Sequence, residues 1–206
     1  GTATWAFWPP HKLAVLPFVN AAKDDAVEYL CVGLAESLIA RMKHLPLAVT
    51  SASAVKNFAG STLDPRAIGR RLGVQSVVTG TLAAGGGRLL VTAALIDVAT
   101  GAEIWTQRYD RDTASFFKLW DDLAQAIVDD GLHLRLRKDE RRALLTRPTD
   151  NIEAYDLLLQ ARRFQMLTTE DDFLEARRLY QRAVDTDPKF AEAWLGLGGT
   201  YWTSAL

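Results

Sequence analysis

Residues 13–19, LAVLPFV, and residues 47–50, LAVT, decide the fold. Each run is short and almost wholly apolar, the pattern of a strand covered on both faces, and Pro17 breaks the first near its end. Between them Val27, Leu30, Cys31, Leu34, Leu38 and Met42 recur at helical spacing. That stripe predicts an amphipathic helix with Asp24 as its cap. Strand, helix and strand form a βαβ unit with a right-handed crossover, so the sheet starts parallel.

Moving outward, Asp64-Pro65 reads as a cap followed by proline at the first helical position, and Gly73 closes that helix after Ile68 and Leu72. Residues 74–83 and 89–98 are β-rich runs on either side of Gly85-Gly86-Gly87, whose turn needs positive φ angles. Thr100-Gly101 marks a further turn, and Ile104, Trp105, Thr106 and Tyr109 make a third run. An antiparallel meander is thereby joined to the parallel start, and the sheet is mixed. Phe116, Leu119, Trp120, Leu123, Ile127 and Val128 then predict a long helix covering one face of it.

These residues together resemble the TolB amino-terminal-like domain of bacterial signalling proteins. The resemblance is carried by residues 13–18 with Asn20, by Gly33-Leu34 leading into residues 36–39, and by residues 66–74. Gly80, residues 95–97, Thr100-Gly101, Trp105 and residues 109–111 carry the remainder. Ala21-Ala22-Lys23 departs from the polar, glycine-containing loop usual in that family, and residues 83–87 are less basic than its usual turn. The resemblance implies a neighbouring array of tetratricopeptide repeats, with a cyclase, kinase or winged-helix output unit elsewhere in the same polypeptide.

Pro148 interrupts a charged helical stretch, which places a junction at residues 146–151. Beyond it the pattern is all helical. Ala176, Tyr180 and Ala183, then Pro188, Trp194, Leu197, Gly198 and Tyr201, are spaced as in a tetratricopeptide repeat. On that reading Ala176, Ala183 and Gly198 let paired helices approach, while Tyr180, Trp194 and Tyr201 fill the space between them. Ala161 and Phe164 fit the preceding helix if residues 168–171 loosen the register. The segment holds about one and a half repeats, where about three are needed for stability, so the array is expected to continue or to self-associate.

The predicted organisation is a lead-in at residues 1–10, an α/β domain at 11–146 and an incomplete, all-α repeat segment at 150–206. In the lead-in Trp5, Phe7, Trp8, Pro9 and Pro10 have the composition of a juxtamembrane segment.

The 206 residues are 49% hydrophobic and 24% charged, an ordinary globular balance. With 24 Lys+Arg against 25 Asp+Glu, no long-range field draws the chain to nucleic acid or an anionic membrane. The single cysteine, Cys31, excludes an internal disulfide. No apolar run reaches the roughly 18 residues of a membrane span, so membrane attachment would come only through a preceding helix.

Chemistry is weakly signalled. Ser53 and Lys56 stand at the spacing of a serine with a lysine base, the basis of an alternative reading as a hydrolase or transferase. The companion motifs of such enzymes do not follow them, and Ser53 reads better as a loop or capping residue. The glycines from 80 to 87 lack the lysine and following helix of a phosphate loop. His11, His44 and His133 are isolated from other ligand types, so neither a metal nor a cofactor is expected. The doublets Asp24-Asp25, Asp121-Asp122, Asp129-Asp130 and Asp171-Asp172 read as solvated or capping residues, and the basic run from Arg135 to Arg142 as a solvated helix face.

The sequence thus reads as a non-catalytic, sensory or protein-interaction region of a larger signalling protein. The repeat resemblance assigns Leu195, Gly199 and Trp202 to a groove that takes a protein or peptide partner. An extracytoplasmic location is expected if a membrane helix precedes Trp5, and a cytoplasmic adaptor built on the repeats is the alternative.

Overall fold

The computed structural model describes residues 11–24, 27–165 and 169–203, except the side chains of residues 202 and 203. The aromatic lead-in falls outside the described residues. In chain order the elements of the first part are β1 (His11–Val15), β2 (Val19–Asn20), α1 (Glu28–Met42), β3 (Leu47–Val49), α2 (Ala52–Lys56) and α3 (Pro65–Leu72). They continue with β4 (Ser76–Gly85), β5 (Arg88–Asp97), β6 (Glu103–Asp112) and α4 (Phe116–Ala126). Four more helices follow: α5 (Lys138–Leu145), α6 (Ile152–Gln165), α7 (Glu170–Thr186) and α8 (Ala191–Thr203).

The sheet is mixed, in the order β3-β1-β4-β5-β6, with β2 also paired to β4. β1 pairs in parallel with both β3 and β4, and β4, β5 and β6 form the antiparallel meander. Gly85 pairs with Arg88 across a two-residue turn in which Gly86 and Gly87 have φ of 57° and 76°. Two consecutive positive φ angles are what a tight hairpin of this twist requires, and glycine adopts them without penalty.

Pro17 shapes the sheet as expected. Val15 stands opposite Val78 and Val19 opposite Thr81, so β1–β2 advances four positions while β4 advances three. The extra residue is a bulge. It lays the Phe18 ring over Gly80, where a Cβ would lie 2.6 Å from that ring and 2.1 Å from the Thr92 carbonyl oxygen.

Both signed ends of α3 are present. Asp64 accepts the Arg66 amide at 3.0 Å, and Gly73 closes the helix with φ of 65°. At α1 the expected cap is corrected: the N-cap is Val27, without a side-chain cap bond. Asn20 holds the preceding loop instead, its amide Nδ2 donating at 2.8 Å both to the Asp24 carbonyl and to Glu28 Oε2. The long helix after β6 is also modified. α4 ends in a wide turn over Ile127–Gly131, closed by the Leu132 amide donating to the Ile127 carbonyl at 2.8 Å.

Leu13, Val78, Leu95 and Trp120 of the α/β part share one buried cluster with Tyr155, Leu158, Leu179 and Phe190 of the later helices. The junction at residues 146–151 is a break in chain pattern, and the apolar core runs across it. α7 starts as the polar residues at its head dictate. Thr169 accepts the Asp172 amide at 3.2 Å, and the Asp172 carboxylate accepts from Thr169 in return.

Candidate functional site

The face of α1 that leaves the sheet meets α6, and this seam gathers the polar groups with the most constrained surroundings. Gly33 makes the approach close, since a Cβ there would lie 2.8 Å from the Leu159 side chain. One turn earlier the Tyr29 hydroxyl donates to Asp156 at 2.6 Å, and burial, reinforced by that carboxylate, pushes the phenol's pKa up. Further along, Tyr155 packs among Phe116, Phe117 and Phe190, with ring centroids 5.6 to 6.4 Å away.

At the far end of the seam Arg41, 5% exposed, donates to Asp121 of α4 at 2.6 Å. The other Asp121 oxygen accepts from Arg147, whose guanidinium also lies 5.0 Å over the Phe117 ring. This corrects the solvated reading of the Asp121-Asp122 doublet. Asp122 pairs with Lys118 at the surface, whereas Asp121 is 14% exposed and joins three segments of the chain. Asp129 is likewise engaged, bidentate with Arg141 at 2.9 Å, so part of the basic run is neutralised within the fold.

Two clefts open along the seam. One, of about 270 Å³, has Glu36, Arg41, Lys43, His44, Arg147 and Glu192 among its walls. The other, of about 230 Å³, is more apolar and lies between Val32 and Gly33 of α1 and Leu159 of α6. Arg162 borders both, bonded to Glu192 at 2.7 Å and standing 3.7 Å from Glu36.

The residues assigned to partner binding lie on α8, away from this seam's floor. Leu195 is 76% exposed, Gly199 is half-buried with its Cβ direction 3.6 Å from Gln165 Nε2, and the Trp202 side chain is outside the described residues. The expected packing of α8 is shifted in rotation. Tyr180 is buried against Gly196, where a Cβ would lie 2.3 Å from its ring, while Gly198 faces open space. Trp194 and Tyr201 are 50% and 55% exposed and do not fill the interhelical space, which Leu197 and Ala193 occupy.

Ser53 is exposed, and its Oγ shares a 3.1 Å hydrogen bond with Ser51 Oγ, the cap of α2. Lys56 borders a separate open hollow with Glu36 and Arg162. His11 Nε2 lies 3.0 Å from Ser76 Oγ, His44 borders the larger cleft and His133 has a positive φ of 53°. Among the described residues no group of three or more His, Cys, Asp or Glu could hold a metal ion.

Residues 10–129, the whole sheet and α4, match the family described as HilA/YgeH-like transcriptional regulator, second domain. The chain belongs to that family. Beyond the HilA/YgeH-like domain the likeness extends into the helices. A Rhizobium meliloti protein named "Putative adenylate cyclase 3" is 32% identical over 187 residues, 90% of this chain and 32% of that protein. The chain therefore spans about a third of the length of this curated relative. Among solved structures, lipoprotein GNA1162 of Neisseria meningitidis is similar at TM-score 0.44 and 20% identity, over 61% of this chain and 100% of that one. TolB of Acinetobacter baumannii is similar at TM-score 0.42 and 16% identity, over 62% of this chain and 29% of that one.

Proposed function

We propose that this chain is a non-catalytic sensory and protein-interaction region of a larger signal-transduction protein whose output unit, a cyclase, kinase or DNA-binding module, is carried elsewhere in the polypeptide. The observation that carries the reading is the apolar core running from the sheet through α1 into α6, α7 and Phe190. A module that does no chemistry acts through its differential affinity for two states. To pass a binding event onward, the surface that binds and the surface that transmits must move together. A seam packed glycine to leucine at Gly33 and pinned at Asp121 couples them. Membership in a regulator family, and likeness to a protein named as a cyclase, support the signalling class.

In this reading the last helices open a tetratricopeptide-type array. The exposed face of α8 bearing Leu195, with Gly199 and Trp202 along the same helix, takes a protein or peptide. The aromatic lead-in supports an extracytoplasmic placement behind a membrane helix. No helix among the described residues is long and apolar enough to cross a membrane.

The test is turnover. The purified chain, with Ser53→Ala and Lys56→Ala variants beside it, is assayed for cyclic nucleotide formation from ATP and for hydrolysis of a nitrophenyl ester. No turnover above buffer is expected. Turnover that disappears with Ser53→Ala would overturn the reading.

A further inference from the structure

The larger cleft carries positive charge beyond what Asp121 balances. Arg41 gives one guanidinium N–H to Asp121, yet its Nε is buried and has no hydrogen-bond partner among the described residues. A buried donor left unmade is unfavourable, and more so when it is charged. Asp121 is one carboxylate facing two guanidiniums, those of Arg41 and Arg147, so this corner keeps a positive excess. Arg147 Nη1 stands 3.8 Å from Asp150, beyond hydrogen-bond length, and Asp150 is 96% exposed. Lys43 and His44 border the same cleft from the end of α1. On the opposite wall one guanidinium, Arg162, faces two carboxylates, Glu36 and Glu192, so that wall keeps a negative excess and the cleft is polarised, positive at the Arg41, Lys43 and Arg147 end.

We infer that this end of the cleft is an oxyanion site, built to take a small molecule through its phosphate group. Guanidinium forks match the tetrahedral oxygens of phosphate, and a lysine adds a point charge without demanding one geometry. At about 270 Å³ the cleft is several times the roughly 30 Å³ share of one water, leaving room for a short organic body beside the phosphate. The ligand would sit among α1, the segment after α5 and Glu192 of α8, which deepens the proposed sensory function by naming its input and rests on it only in that respect.

The experiment titrates the purified chain with inorganic phosphate and with a small phosphate monoester, against sodium chloride at matched ionic strength, reading thermal stability and heat of binding. Phosphatidic acid vesicles form a separate arm, which distinguishes a soluble phosphate from a lipid headgroup. Saturable stabilisation by both soluble phosphates is expected. Lys43→Ala, which removes an exposed side chain, should weaken it roughly threefold. Arg147→Lys, which keeps the charge and loses the fork, should weaken it about tenfold. The proposal is overturned by stabilisation no greater than that of chloride, by binding unchanged in both variants, or by binding to vesicles alone. Its failure would leave the turnover test of the proposed sensory function untouched.

Discussion

Asp121 of α4 accepts a hydrogen bond at 2.6 Å from Arg41 of α1, with the two side chains 14% and 5% exposed. Arg147, on the segment that leads into α6, closes on the second oxygen of the same carboxylate. One acidic side chain thus fixes the helix that crosses the sheet, the helix that covers it and the entry to the later helices. Buried ion pairs add little net stability over apolar residues of similar volume, but they leave a large penalty when one partner is lost.

Asp121→Ala is expected to destabilise the chain by about 3–5 kcal/mol, because it strands the Arg41 guanidinium in the core. Removing charge on both sides, with Arg41→Met and Asp121→Leu together, should restore most of that loss. Urea unfolding of the two variants checks it, and a double variant as unstable as the single one would contradict the penalty argument.

Gly80→Ala should destabilise by about 2–3 kcal/mol through overpacking. The Phe18 ring could yield to the new methyl group, but the Thr92 carbonyl oxygen 2.1 Å away belongs to the sheet backbone. Adding Phe18→Leu is therefore expected to rescue little of the loss, and thermal unfolding of both variants decides it. A full rescue would mean that the ring alone requires the glycine.

These two positions show what the sequence could carry. The strand break at Pro17, the caps of α3 and the Gly86-Gly87 turn were legible because each is decided by residues within a few positions of one another. Asp121 was not. Its doublet sits on an amphipathic helix as solvated acids do, and its partners Arg41 and Arg147 lie 80 and 26 residues away. The choice between Gly196 and Gly198 against Tyr180 was equally hidden, because residues two apart on a helix face nearly opposite directions. Spacing marks the stripe; the tertiary contact sets its rotation.

Stability should fall as the solution is made alkaline. Burial, with Glu28 adding to it, pushes the Cys31 thiol from its ordinary 9.0 up to about 12, and burial raises Tyr109 from 10.0 to about 12. The folded chain therefore holds these protons after the unfolded chain has released them. Their contribution is intact below the unfolded values and is lost as pH climbs through them, by at most about 1.4 kcal/mol per pH unit for each group. Urea midpoints measured upward from pH 8 check this, and Cys31→Ala should flatten the first part of the decline.

On α8, Leu195→Asp should leave stability within about 0.5 kcal/mol, as for an exposed surface site. Leu197→Asp, at a side chain 5% exposed, should be destabilising by at least about 2 kcal/mol. Thermal unfolding separates the two. The reverse order would mean that α8 is rotated and that Leu195 packs inward.

The most direct test of the shared core is native-state hydrogen exchange across the chain under increasing urea. If sheet and later helices form one unit, the slowest amides of β5, α4, α6 and α7 share a single opening free energy, and Asp121→Ala lowers all of them together. A lower and separate opening of α6 and α7, with β5 and α4 unaffected, would contradict the account.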